Sequence, residues 1–236
     1  MRKFLGLALA GALSVAALPA VAADYPLKAA PPPIWTWTGF YVGVQAGGGW
    51  MIDRWKNTTT GIVSENMVGS GGLIGGTLGW NWQAPGSPWV IGIEGDWAWT
   101  NIHSNSLSAT IFGCPSGCNT NIDWLATVRG RIGHANGPLL FYVTGGVAFA
   151  AIHAWHLPLA GGFIADATPT ETGWAVGAGL EGVLGGGWSL KAEYLYVAFG
   201  QTGQVGTAGF GTSVDVVDYV RAHILRAGVN YRFNTY

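Results

Sequence analysis

The sequence predicts an all-β protein: an eight-stranded antiparallel up-and-down transmembrane β-barrel. Three observations carry that prediction. From Trp37 onward apolar and polar residues alternate with period two, and stretches of helical period are absent. In every segment one of the two faces is apolar and aromatic, while the other carries nearly all the charge. Aromatic residues gather at both ends of the segments around a belt of Val, Leu, Ile, Ala and Gly. Amphipathic rings take those places at the two membrane–water boundaries.

Composition points the same way. Of 236 residues only 10% are charged and 49% are hydrophobic, with 13 Trp and 39 Gly. Average usage is roughly 25% charged and 7% Gly, and a soluble surface needs more charge than this chain has. The formal net charge of −1 lacks the basic excess of a nucleic-acid binder. An ordinary cytosolic enzyme is disfavoured, and a surface that meets something apolar is favoured.

The chain opens with Met1-Arg2-Lys3, an apolar run from Phe4 to Leu18, and the small residues Ala20-Val21-Ala22. This is the pattern of a secretory signal peptide over 1–22; its removal leaves nine basic against twelve acidic residues. Residues 23–36 are a Pro-rich periplasmic lead-in, and the barrel is expected over 37–236. No later apolar run is long enough for a spanning helix.

Eight strands follow, at 38–50, 71–83, 89–99, 122–133, 139–150, 172–184, 188–198 and 216–233. Each is near the 9–11 residues that a tilted strand needs to cross a bilayer. The connections alternate in length, with short ones at 84–88, 134–138 and 185–187 and long ones at 51–70, 100–121, 151–171 and 199–215. Tight periplasmic turns opposite long external loops are the signature of an outer-membrane barrel. With the first strand running outward, Trp50, Trp97, Trp99, Trp124, Trp174, Tyr194 and Tyr196 fall at the external boundary. Trp80, Trp82, Trp89, Trp188, Tyr231 and Phe233 fall at the periplasmic one. Backbone groups at an open edge would be unpaired in lipid, so the sheet must close.

The opposite face puts four acids (Glu94, Asp96, Glu181, Glu193) and four bases (Arg129, Arg131, Lys191, Arg226) inside the barrel, with opposite signs on adjacent strands. Two readings follow. One is a neutral, ion-paired plug; the other is a narrow polar path opened by rearranging the pairs. Eight strands enclose a lumen that side chains can fill, which favours the plug.

Other motifs are weaker. Cys114 and Cys118 frame Cys-Pro-Ser-Gly-Cys, and an exported chain is where such a pair forms a small disulfide loop. His103, His153 and His156 fall in two predicted long loops; they offer ligands to a metal or haem iron, although solvated polar residues are the plainer reading. Gly177-x-Gly179-x-x-Gly182 matches a dinucleotide fingerprint but lies within a strand with no following helix. No nucleophile–base constellation is visible, and no catalytic residue, cofactor or metal is expected.

Four stretches carry a family resemblance: Trp37-Thr38-Gly39-Phe40-Tyr41-Val42-Gly43, Trp124 to Arg131, Lys191-x-Glu193-Tyr194-Leu195-Tyr196, and His223 to Phe233. They resemble the small porin-family outer-membrane surface antigens of Gram-negative bacteria, which share an eight-stranded barrel with the OmpA transmembrane domain. That resemblance implies an envelope-structural and antigenic role with at most weak porin-like activity. A narrow channel for small solutes, or a haemin-binding receptor using His103, His153 and His156, are the alternatives. Outer-membrane lipid, lipopolysaccharide and the barrel-assembly machinery are the expected partners, with no nucleic acid among them; oligomeric state is left open. The family commonly ends on the aromatic residue of Tyr-Arg-Phe, whereas here Asn234-Thr235-Tyr236 follows Phe233, so Tyr236 is a second candidate for the terminal aromatic.

Overall fold

The computed structural model describes residues 35–58, 61–106, 118–156, 165–206 and 214–233. The predicted signal peptide, most of the lead-in, Cys114 and the terminal Tyr236 lie outside them. Eight long strands make the wall: β1 (Gly39–Asn57), β2 (Met67–Gln83), β3 (Trp89–Ser106), β4 (Cys118–Asn136), β5 (Leu139–His156), β7 (Thr170–Gly185), β8 (Trp188–Phe199) and β10 (Val214–Arg232). Two short strands, β6 (Ala165–Ala167) and β9 (Thr202–Gly206), add to β5 and β10. All pairings are antiparallel between chain neighbours, and β1 pairs with β10 from Tyr41↔Arg232 to Asn57↔Asp215, which closes the sheet. At the short-turn end the reversals are tight; Gly137, with φ of +57°, turns the chain between β4 and β5 where a side chain would be strained.

The strands are longer than expected, and most of the excess is at the long-loop end; at the short-turn end β4 gains three residues, to Asn136, and β7 one, to Gly185. β1 runs to Asn57 instead of 50, β3 to Ser106 instead of 99, and β5 to His156 instead of 150. β4 begins at Cys118, and β6 and β9 lie within stretches read as loop. The expected ends were set by bilayer thickness, but pairing does not stop at the membrane surface. A 19-residue strand such as β1 rises about 45–50 Å along a tilted barrel, against an apolar band of about 25 Å. The wall therefore stands well clear of the membrane on one side.

Within the band the faces are as period two assigns them. Phe40 is 61% exposed, Val44 68% and Trp99 61%, whereas Glu94 and Arg129 are 1% exposed. At the short-turn end Phe40 meets Trp80 and Trp188 meets Tyr231; at the other end Trp97 meets Trp99 and Trp174 meets Tyr196.

The inward face is not polar throughout. Beyond the charged layer the inward positions turn apolar: Leu73, Ala98, Leu125, Ala148, Leu195 and Ile224 begin a cluster that continues through Met51, Ile102, Ile122, Ile152, Val197 and Val220 to Trp55. This apolar core fills the part of the barrel that projects from the membrane and the layer just below.

Candidate functional site

The eight inward charges of the membrane-embedded half form one connected network. Register sets its first contacts, placing Glu94 opposite Arg129, Glu181 opposite Lys191 and Glu193 opposite Arg226. Arg129 is the hub. Its Nη2 donates to Glu94 at 2.7 Å and to Asp96 at 2.8 Å, and its Nη1 reaches Glu193 at 3.2 Å on the far wall. Arg226 clamps Asp96 at 2.8 Å and Glu193 at 2.8 Å. Asp96 also accepts from the Thr127 hydroxyl at 2.6 Å. Lys191 departs from the neighbour pairing that alternating signs suggest: it crosses the lumen to both oxygens of Glu94 at 3.0 Å. The lumen is narrow enough that a long ammonium arm reaches the opposite wall. Its register neighbour Glu181 instead takes Arg131 at 3.0 Å, Ser189 at 2.5 Å and Asn230 at 3.1 Å.

Two tyrosines lock this layer. Tyr41 on β1 faces Gly79 on β2, and Tyr142 on β5 faces Gly179 on β7. Each ring lies across the bare glycine: a Cβ on Gly79 would sit 2.3 Å from the Tyr41 ring, and one on Gly179 2.5 Å from the Tyr142 ring. The two hydroxyls then donate to carboxylates, Tyr41 to Glu94 at 2.7 Å and Tyr142 to Glu193 at 2.9 Å. The Arg131 guanidinium lies 4.0 Å over the Tyr142 ring and donates to the Tyr41 hydroxyl at 2.9 Å. Tyr41 and Tyr142 share the parity of Gln45 and Thr144, so period two contains them; the charge census passed over them because they are aromatic.

Arg232 is the other inward group missed, although it shares the parity of Arg226 and Asn230. It sits 3.5 Å from Glu181, with its guanidinium 4.5 Å over the ring of Trp37. Trp37 is buried, anchored by its backbone N–H to Gln83 at 2.9 Å and packed edge-on against Trp35. The start of the predicted barrel region is thus a cap on the short-turn mouth, with strand pairing beginning at Gly39.

Above the ionic layer one carboxylate among the described residues is buried in the apolar core. Asp53 accepts from Ser104 at 2.6 Å and Thr120 at 2.8 Å, while the Trp55 indole donates to Thr120 at 3.1 Å. Burial raises the Asp53 pKa above the ordinary carboxylate value, and the hydroxyl donors partly offset the rise.

The remaining predicted site residues are not brought together. His103 and His153 lie in strands rather than loops, in register on either side of Asn121, and both point away from the lumen. They are two strand spacings apart, about 10 Å; His156 ends β5, and its side chain lies outside the described residues. Cys118 begins β4 and is buried. No cluster of three or more His, Cys, Asp or Glu side chains fit to hold a metal occurs among the described residues.

What the ionic layer can do follows from how fully its acids are paired. Every acid in the ionic layer takes two or more charged or hydroxyl donors, so the layer resists rearrangement. A buried pair that loses one partner costs roughly 3–5 kcal/mol.

Comparison with known proteins fits this geometry. The family model for the outer membrane protein beta-barrel domain matches residues 5–233. The 31 kDa outer-membrane immunogenic protein of Brucella melitensis is 31% identical over 231 residues, covering 87% of each chain. The 25 kDa outer-membrane immunogenic protein of the same species is 27% identical over 205 residues, covering 85% of this chain and 81% of the relative. Among solved structures, Neisserial surface protein A aligns with a TM-score of 0.41 at 18% identity, over 83% of this chain and 98% of that one. The protein is accordingly an outer-membrane protein. A closed wall of eight long antiparallel strands, apolar outside and ion-paired inside, meets a family model that spans nearly its whole length: the chain belongs to the outer membrane protein beta-barrel domain family.

Proposed function

We infer that this barrel is a sealed, structural member of its family, which contributes to envelope integrity and displays its long loops outside the cell. The observation that carries this reading is the stacking of closures along one lumen: Trp37 over Arg232 at the short-turn mouth, the ionic layer, then the apolar core. A conducting path would have to open all three. The immunogenic relatives support surface display, and long loops at one end are what an outer-membrane barrel presents outward. A Cys114–Cys118 disulfide belongs to the same reading, as a staple in the external β3–β4 loop of an exported chain. So do the predicted signal peptide, insertion by the barrel-assembly machinery, and contact with lipopolysaccharide.

Planar-bilayer recording tests it. The purified protein is expected to give no reproducible unitary conductance. A conductance that shifts on Glu94→Gln or Arg129→Gln would overturn the sealed lumen and establish the narrow-channel alternative.

Haemin capture has one observation in its favour, the level placement of His103 and His153. A Soret change on haemin titration that disappears in the His103→Ala/His153→Ala/His156→Ala variant would establish it; no change, or one that survives all three substitutions, ends it.

A further inference from the structure

The chain has 11 Lys and Arg residues. Arg2, Lys3 and Lys28 precede the described residues, and Arg129, Arg131, Lys191, Arg226 and Arg232 are buried in the lumen. The three that remain, Arg54, Lys56 and Arg221, all fall on one patch of the outer wall, on the adjacent strands β1 and β10. Register puts Arg54 opposite Tyr219 and Arg221 opposite Ile52. Both guanidiniums lie over the same Tyr219 ring, at 4.9 Å and 4.5 Å from its centroid.

The patch sits just beyond the external aromatic belt. Directly below it, Trp50 stacks on His223 with centroids 5.2 Å apart and planes 9° from parallel, and the Tyr194 hydroxyl meets His223 Nδ1 at 2.6 Å. Asp218 pairs with Arg54, and Glu65 lies on the adjoining loop. Arg221 is exposed, with only the Tyr219 ring as its partner among the described residues. Near the long-loop end the other long strands turn outward no Lys or Arg among the described residues, but residues such as Ser70, Asn101, Asn121 and Asp123.

Scattered surface charge needs no explanation. Every exposed Lys and Arg among the described residues on one side, just beyond the external belt, with two of the three over one aromatic ring, matches a phosphate anchored in the membrane. Guanidinium forks suit phosphate oxygens, and basic side chains beside a membrane surface attract anionic lipid. We propose that Arg54, Lys56 and Arg221, supported by Tyr219 and the Trp50–His223 stack, bind the phosphate of a phosphorylated lipid headgroup in the outer leaflet. The proposal rests on the reading above that the long-loop end faces outward in contact with lipopolysaccharide; the site is on the outer wall, so it holds whether or not the lumen conducts.

Native mass spectrometry of the purified barrel in neutral detergent tests this, with bisphosphorylated lipid A and its dephosphorylated form as probes. Micelles have no leaflets, so an error in sidedness cannot hide the site. Wild type is expected to retain bisphosphorylated lipid A in preference to the dephosphorylated form. Arg54→Gln/Arg221→Gln is expected to bind it about thirtyfold more weakly, at about fivefold per charge. Arg54→Lys/Arg221→Lys should keep most of the affinity. Unheated gel mobility reports folding; if the double variant fails to fold, Arg221→Gln alone, at an exposed position, should still show the fivefold loss. Equal retention by wild type and a folded Gln variant, or equal binding of the two lipids, would overturn the proposal. Displacement of the lipid by millimolar inorganic phosphate would also overturn it, since the patch would then read free phosphate and not a membrane lipid.

Discussion

The two halves of the lumen are built on the same strands with the same period, yet they follow opposite rules. In the membrane-embedded half the inward residues are Glu94, Asp96, Arg129, Glu193 and Arg226, and the outward ones are Val128, Ile93 and Leu225. In the projecting half Ile102, Ile122, Val197 and Val220 point inward, and Arg54, His103, Asn121 and Arg221 point outward. The reversal falls within a residue or two of the external belt, as at Trp97 and Trp99, which flank the inward Ala98. A side chain is placed by what lies on each side of the wall. Where the outside is lipid, apolar groups gain nothing by turning inward, and polar groups must turn inward and pair. Where the outside is water, the hydrophobic effect resumes and the barrel packs like a soluble protein.

That contrast can be broken at either half. The largest effect is expected from Glu94→Gln, which strips charge from the acceptor of Arg129, Lys191 and Tyr41. Urea unfolding in lipid vesicles should show a loss of about 3–5 kcal/mol, and Glu94→Gln/Lys191→Met should restore part of it. A silent Glu94→Gln would mean that the layer is wet and loosely coupled.

Leu195→Ala, in the apolar half, should cost about 2–5 kcal/mol in the same assay, with no change in any ion pair. If it costs less than 1 kcal/mol, the upper half is not packed as a core.

Glycines sharpen the comparison between inside and outside. Gly79→Ala drives a Cβ to 2.3 Å from the Tyr41 ring, whereas an alanine at the outward Gly95 finds its nearest atom at 3.8 Å. The first should destabilise by about 1–3 kcal/mol and displace the Tyr41 hydroxyl. The second should lie within about 0.5 kcal/mol of wild type. Similar losses at both positions would show that glycine serves backbone curvature and not ring packing.

Asp53 gives the smallest effect and a sign. Its folded-state pKa is raised by burial, so the protonated carboxyl is the form that folding prefers. The associated stability is fully present below the unfolded value and is lost as pH rises through the raised folded value. Asp53→Asn should remove that decline, leaving an unfolding midpoint flat across the window; a midpoint that falls as in wild type would place the titration elsewhere.

Much of the molecule was legible in the residues. Closure, strand number, the two belts and the eight inward charges all follow from period two applied with one decision, that the apolar face is outside. Three features were not legible, each for a physical reason. Strand ends were misplaced because bilayer thickness limits the apolar band and not the hydrogen-bonded ladder, so His103 and His153 were read as loop residues. The partner of Lys191 was misplaced because sequence gives neighbours in register and says nothing of reach across a lumen. The role of Trp37 as a cap is not visible in the sequence, since it depends on Arg232, almost two hundred positions away.

By itself, then, the sequence determined which side of the wall each residue faces within the membrane, because that choice depends only on local alternation and on lipid being apolar. The tertiary structure alone decided how the lumen is filled: which charges meet, where glycine makes room for tyrosine, and where polar packing gives way to apolar. Those outcomes depend on distances between strands far apart in the chain, and a barrel fixes them only when its last strand meets its first.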